Sequence, residues 1–242
     1  MAQSYPIVGH QRSSSNACWP WISDQCLDTS TSGEYGASII LFRPHGGPNA
    51  FGGYTLIIWL SGPTGSGKTS LASIFSQLGY GIVREDAPMG LFEAFAVDPS
   101  RHCEAVQEAL MRSRHQQYQL QSDKLNVVFD RSVDEDISVF CRLHRASGYL
   151  DAPSFSRLEG LAAELEADLP SPDLIIFLSA NETVLRQRID VVGHPKLIVD
   201  SLTEQVRLYD EWISCRSESV VKIDNSKCPP AMLDAILKGW LC

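Results

Sequence analysis

Several things are scarce or missing in this chain of 242 residues. Positive charge is scarce: 20 Lys and Arg stand against 29 Asp and Glu, a net charge of −9. A general nucleic-acid binder must neutralise phosphates, so that class is excluded, although local basic groups could still hold one small polyphosphate. Long apolar runs are missing. The best, Tyr54–Leu60, falls far short of the roughly 18 residues of a membrane-spanning helix. The start of the chain has no positive stretch leading into an apolar one, so a cytoplasmic location is expected. Paired cysteines are missing too. Cys18, Cys26, Cys103, Cys141, Cys215, Cys228 and Cys242 are odd in number and form no C-x-x-C. That argues against a disulfide framework or a zinc site and for reduced, mostly structural thiols.

What is present divides in two. Residues 1–52 carry Ser13-Ser14-Ser15, Thr29-Ser30-Thr31-Ser32-Gly33 and Gly46-Gly47-Pro48. Such composition buries little apolar surface and reads as a mobile extension. Only Ser38–Phe42 is faintly strand-like, and only Trp19, Trp21 and the nearby Cys18 and Cys26 hint at a docking segment. Residues 53–242 read as the folded domain. Strands are expected at Tyr54–Leu60, Gly81–Glu85, Asn126–Asp130, Asp173–Leu178 and Val220–Asp224. Helical patterns lie between them, at Lys68–Leu78, Pro99–Gln121, Asp134–Ser147, Phe155–Ala167, Thr183–Ile189 and Leu197–Cys215, with a closing helix at Pro230–Leu241. This alternation predicts an α/β fold with a five-stranded parallel sheet between two helical layers.

Gly62-Pro63-Thr64-Gly65-Ser66-Gly67-Lys68-Thr69 matches G-x-x-x-x-G-K-[ST]. It lies between an expected strand and an expected helix, as a phosphate-binding loop requires. The glycines let backbone N–H groups turn inward, and the helix start adds partial positive charge. Lys68 is expected on the β- and γ-phosphates of ATP, and the Thr69 hydroxyl on Mg²⁺. No N-K-x-D follows the fourth strand, which ends Phe177-Leu178-Ser179-Ala180, so a guanine-reading GTPase is excluded.

Three further features suit transfer of a phosphoryl group to a small molecule. Glu85 ends the second strand, at the sheet edge where such folds bind ligands, and could take a proton from an attacking hydroxyl. Standing alone it is an ordinary loop acid. Asp130-Arg131-Ser132 ends the third strand at the same edge, an acid for Mg²⁺ and a guanidinium for transferred charge, or simply a capped helix start. Gln107 and Arg114 are two helical turns apart and share a face. Gln107 can pair with a base edge.

Together these residues resemble the deoxynucleoside kinase family over residues 54–225. The matches are Glu85 after the second strand, Gln107 with Arg114, Asp130-Arg131-Ser132 with Asp136, and Phe140 four beyond that Asp. Phe95-x-x-Asp98-Pro99, Leu185–Ile189 and Tyr209-x-x-Trp212 also fit the family's pattern. The resemblance implies that Glu85 is the general base for a 5′-hydroxyl, and that Arg131 and the lid's Arg188 stabilise the moving phosphoryl. It implies that Asp130 organises Mg²⁺. Gln107 would then read the base beside Arg114 and Asp136, with Phe140 stacking on it. Arg114 and Asp136 also read as a structural ion pair. A homodimer is expected by the same resemblance.

The lid departs from the family's R-I-x-x-R-G-R-x-x-E. Val192, His194 and Leu197 replace two arginines and the acid, and Ala96 stands where the family has a Tyr. In the family that Tyr and that acid hold the sugar's 3′-hydroxyl. Two rivals to a deoxynucleoside kinase preferring purines therefore stand: a P-loop kinase of another acceptor, and a regulatory nucleotide binder with little turnover.

Overall fold

The computed structural model describes residues 56–227, apart from residues 85, 87, 122, 123 and 125. Glu85, the extension 1–52 and the closing helix Pro230–Leu241 lie outside the described residues.

The described strands are β1 (Leu56–Ser61), β2 (Gly81–Val83), β3 (Asn126–Asp130), β4 (Leu174–Ser179) and β5 (Val220–Asp224). They form one parallel sheet in the order β2-β3-β1-β4-β5. β1 is central, with Leu60 level with Asp130 on one side and Ser61 level with Phe177 on the other. The loops after β1 and β3 therefore open at one sheet edge, where parallel sheets bind their ligands.

The helices are α1 (Lys68–Gln77), α2 (Met89–Val97), α3 (Pro99–Leu120), α4 (Val133–Glu135), α5 (Arg142–Ala146), α6 (Ala152–Ala167), α7 (Glu182–Val192) and α8 (Lys196–Ser214). Between α4 and α5 runs a π-helical stretch, Asp136–Cys141.

Strand side chains alternate between faces, and both faces here are apolar. Ile58 and Leu60 of β1 with Ile176 and Leu178 of β4 pack on Leu71 and Phe75 of α1. Ile175 and Phe177 pack on Leu208, Tyr209 and Trp212 of α8. Burial on both faces is why these strands are almost continuously apolar. A separate cluster joins α2, α3 and α6 through Phe95, Val106, Leu110 and Leu158.

The predicted α/β architecture and strand order of appearance stand, with three differences. α2 is a helix that periodicity did not reveal: MGLFEAFAV has almost no polar face, and of its residues only Phe95 is buried. α7 runs on to Val192, where Gly193 stops it in the left-handed conformation with φ 78. The helix expected at Asp134–Ser147 contains the π-helical stretch, a feature that clusters at functional sites.

Candidate active site

The site begins with the loop between β1 and α1. Gly62, Gly65 and Gly67 adopt φ of 141, 81 and 103, conformations closed to most side chains. A Cβ on Gly62 would overlap the carbonyl oxygen of Leu178 in β4. Lys68 is buried and folds back over the loop, donating to Gly62 O at 2.7 Å and Pro63 O at 3.0 Å. The first turn of α1 has no acidic residue, so its positive end is left for an anion.

Three side chains from distant elements brace this loop from outside. Gln205 of α8 accepts from Thr64 N at 2.6 Å. Asn225, after β5, donates to Ser66 O at 2.7 Å. Arg188 of α7 donates to Gly65 O at 3.2 Å and Asn225 O at 2.8 Å. Arg188 thus ties α7 to the loop through Gly65 O and to the chain after β5 through Asn225 O.

The end of β3 supplies the second part. The Thr69 hydroxyl donates to Asp130 Oδ2 at 3.5 Å, so two oxygen ligands stand side by side at the mouth of the loop. Such a pair fits Mg²⁺, which keeps waters and phosphate oxygens rather than a full protein cage. Among the described residues no group of three or more His, Cys, Asp or Glu could form such a cage.

Arg131 has φ 71, the only positive φ of a non-glycine described residue. That conformation costs about 1–3 kcal/mol and persists where the surroundings overdetermine it. Here they do. Arg131 N donates to Leu60 O at 3.0 Å. Its guanidinium lies 4.2 Å from the Phe140 ring centroid. Arg131 Nε stands 4.0 Å from Glu135 Oε1.

The residues expected to read the base come together on α3 and the π-helical stretch. Arg114 donates to both carboxylate oxygens of Asp136, at 2.7 and 3.0 Å, and to Asp130 O at 2.9 Å. Both side chains are almost wholly buried. Gln107 is buried and its Oε1 accepts from the Cys141 thiol at 3.7 Å. Burial pushes that thiol's pKa upward, keeping it a neutral donor. Asp136, Phe140 and Cys141 all lie in the π-helical stretch, so one irregular turn carries the partners of Arg114, Arg131 and Gln107.

Sequence reasoning missed Glu135. Its side chain is wholly buried, accepting from Ser61 Oγ at 2.6 Å and from the Tyr209 hydroxyl. Burial drives its pKa up to about 7, against the opposing pull of Arg131, Lys68 and the two hydroxyl donors. Ser132-x-x-Glu135 has the form of a capping box, which would turn Glu135 back on its own helix. Only half of it is used: Ser132 Oγ accepts from Glu135 N at 3.0 Å. Gln205 and Asn225 gave no sequence signal, since nothing local says what they brace. Arg84, next to Glu85, is clipped to α3: Gln117 accepts from Arg84 N at 2.7 Å and donates to Arg84 O at 3.1 Å.

The sequence profile of the deoxynucleoside kinases matches residues 58–230. The chain is 30% identical over 173 residues to a deoxyguanosine kinase of Lactobacillus acidophilus, covering 64% of this chain and 74% of that one. It is 28% identical over 149 residues to a deoxyguanosine kinase of Dictyostelium discoideum, covering 58% of this chain and 52%, about half, of that relative's length. In fold it is similar to the M. mycoides deoxyadenosine kinase with bound dATP, at TM-score 0.66 and 20% identity, over 77% of this chain and 99% of that one. With a profile match across most of its length, and the loop and the β3 motif inside that match, the chain belongs to the deoxynucleoside kinase family.

Proposed function

We propose that the protein transfers the γ-phosphoryl group of ATP to the 5′-hydroxyl of a deoxynucleoside, with a purine preferred. The observation that carries this reading is the convergence of two sets of groups at one sheet edge. The loop 62–69 is built for a polyphosphate, and Arg131 is held rigidly beside it. Gln107, Arg114 and Asp136 form a buried polar wall on α3 and the adjoining π-helical stretch.

Lys68 and the backbone N–H groups of Gly65, Gly67, Lys68 and Thr69 would hold the donor phosphates, while the Ser66 N–H closes the loop onto Pro63 O at 3.1 Å. Thr69 and Asp130 would hold Mg²⁺, which when bound neutralises charge on the β- and γ-oxygens. Arg131 stabilises the charge spread over the transferred group. Glu85 takes the hydroxyl proton, and the clip of Arg84 to Gln117 fixes the chain just before it. Gln107 pairs with the base and Phe140 stacks on it. An amide offers one acceptor face and one donor face, which matches the N6 and N7 edge of adenine. Arg188 steadies the loop through Gly65 O. Residues 53–242 form the kinase unit, the active species is a homodimer, and the site of action is the cytoplasm. Among the described residues no helix is long and apolar enough to cross a membrane.

A second reading concerns the acceptor. Leu197 packs on the apolar cluster of Phe95 and Leu150, which also receives Leu91 and Phe92 of α2. Ala96 is exposed. An apolar contact thus replaces the polar pair expected around a sugar 3′-hydroxyl, favouring an acceptor without that group.

The test is transfer from γ-labelled ATP with Mg²⁺ to deoxynucleosides, ribonucleosides, 3′-deoxy analogues and nucleoside monophosphates, with Glu85→Gln as control. Labelled 5′-monophosphate, lost in the control, is the expected result. Equal rates with 3′-deoxy analogues would establish the second reading. ATP binding without transfer to any acceptor would overturn both and leave a regulatory nucleotide binder.

A further inference from the structure

Glu135 has no role in the reading above, yet it occupies the point where four elements meet. Ser61 ends β1, Tyr209 belongs to α8, Arg131 follows β3, and Glu135 itself closes α4. A carboxylate with a wholly buried side chain persists only when paired and hydrogen-bonded. Its partners are Ser61 Oγ at 2.6 Å on Oε2, the Tyr209 hydroxyl on Oε1, and Arg131 Nε at 4.0 Å from Oε1. Lys68 of α1 is the other charged group that bears on it.

The arrangement does something specific to Arg131. A guanidinium on a long stem has many rotamers, and a group that stabilises a transition state must already be in place. One face of Arg131 rests on the Phe140 ring, which fixes its plane but lets it slide. The Glu135 carboxylate, 4.0 Å away and too far for a hydrogen bond, biases the remaining freedom by attracting the Nε edge. Ser61 and Tyr209 in turn hold the carboxylate, so that it cannot swing out to solvent. Tyr209 also packs edge-on against Phe140, with ring centroids 6.1 Å apart. Phe140 and Glu135 therefore share one brace from α8, the helix that follows the α7–α8 turn.

We propose that Glu135 is a positioning residue that aims the Arg131 guanidinium at the transferred phosphoryl group, with Tyr209 as its brace. This rests on the phosphotransfer reading, so the experiment has one arm that needs turnover and one that does not.

In the first arm Glu135→Gln keeps the shape but removes the charge, and one of the two hydroxyl partners must accept from the new amide instead of donating. Its kcat is expected to fall about 10–100-fold with KM for ATP unchanged, the mark of an interaction made only in the transition state. Wild-type kcat is expected to fall on the acid side as Glu135 is protonated, and this limb to vanish in Glu135→Gln. Tyr209→Phe removes one donor to the charged form, so its acid limb should move to higher pH. A kcat for Glu135→Gln within twofold of wild type, with the same pH profile, would overturn the proposal. So would a loss that only tracks the folded fraction.

The second arm records the Arg131 Nε–H resonance by ¹⁵N NMR without substrate, assigned through Arg131→Lys. A slowly exchanging signal in the wild type, broadened or lost in Glu135→Gln and weakened in Tyr209→Phe, is expected. An unchanged signal in both variants would overturn the proposal even if no acceptor were ever phosphorylated. A changed signal without turnover would uphold the positioning and reject the reaction.

Discussion

Arg114 and Asp136 lie 22 positions apart and meet in a two-point ion pair, Nε to Oδ2 at 2.7 Å and Nη2 to Oδ1 at 3.0 Å. Neither side chain is more than 2% exposed. The third arm of Arg114 reaches Asp130 O at 2.9 Å, so the pair joins α3 to the carboxyl end of β3. The two readings of these residues, structural pair and base-side wall, are therefore not exclusive. Breaking one side leaves a buried charge without its partner, which costs about 3–5 kcal/mol. Asp136→Ala should lose that much in urea unfolding. The double variant Arg114→Met/Asp136→Leu should regain most of it, because apolar groups of similar volume replace the pair without a stranded charge. If the pair also forms the acceptor wall, the double variant stays inactive although folded. A stable and fully active double variant would remove both residues from the site.

The glycines separate loop geometry from helix propensity. Gly62 has φ 141, and a Cβ there meets the Leu178 carbonyl oxygen. Gly160 lies inside α6 with nothing within 4 Å of its would-be Cβ. Gly62→Ala should destabilise by more than about 3 kcal/mol, since strain and overlap add. Gly160→Ala should stabilise by roughly 0.5–1 kcal/mol, from helix propensity alone. Thermal melts of the two proteins check both signs.

Much of this was legible in the sequence because it is local. The loop 62–69 is contiguous, and its glycines are needed for backbone reasons that any sequence reader can apply. The helix expected from Pro99 begins there, and the structure adds a cap in which the Asp98 side chain accepts from Arg101 N at 3.2 Å. Helical spacing put Gln107 and Arg114 on one face, and both are buried. What stayed hidden is what depends on distant partners. Glu135 sits in Asp134-Glu135-Asp136, a run that reads as a solvated first helical turn. Only the fold brings Ser61 and Tyr209 to it, each 74 positions away. The π-helical stretch was equally invisible. Its extra residue per turn leaves no trace in a periodicity already blurred by polar residues that face inward. α2 was missed for the opposite reason, an apolar run with too little contrast to show a face.

Lys68 donates to Gly62 O and Pro63 O, which holds its ammonium at the mouth of the loop. Lys68→Ala should remove binding and catalysis together. Phosphoryl transfer should fall about a thousandfold. A ligand at 100 times its Kd stabilises by about 2.7 kcal/mol, or roughly 5–10 °C in a domain of this size. Wild type should show that rise in Tm with ATP and Mg²⁺, and Lys68→Ala should lose most of it. An unchanged rise would mean that the nucleotide binds elsewhere.

Stability against pH should carry two opposed signatures. Burial raises the Glu135 carboxyl from its ordinary 4.5 to about 7. The folded state therefore holds that proton more tightly than the unfolded chain does, and the contribution is full below 4.5 and lost as pH rises through 7. His144, edge-on to Phe95 with ring centroids 5.3 Å apart, is pushed by burial from 6.5 down to about 4. The folded state keeps it neutral, so its contribution is full above 6.5 and lost as pH falls towards 4. The Glu135 effect is on the order of 3 kcal/mol because its side chain is wholly buried, and the His144 effect is smaller because that ring is only half-buried. Between 4.5 and 6.5 they oppose each other, and the wild-type curve should be nearly flat from these two groups. Single variants uncover each limb. Glu135→Gln removes the gain on acidification, so its stability relative to wild type should rise from pH 5 to pH 8. His144→Phe removes the acid loss, so its relative stability should rise from pH 7 to pH 4.5. Urea unfolding of the three proteins across that range reads both slopes. Parallel curves would mean that neither group titrates with folding, and that Glu135 is held charged by Arg131 and Lys68 throughout.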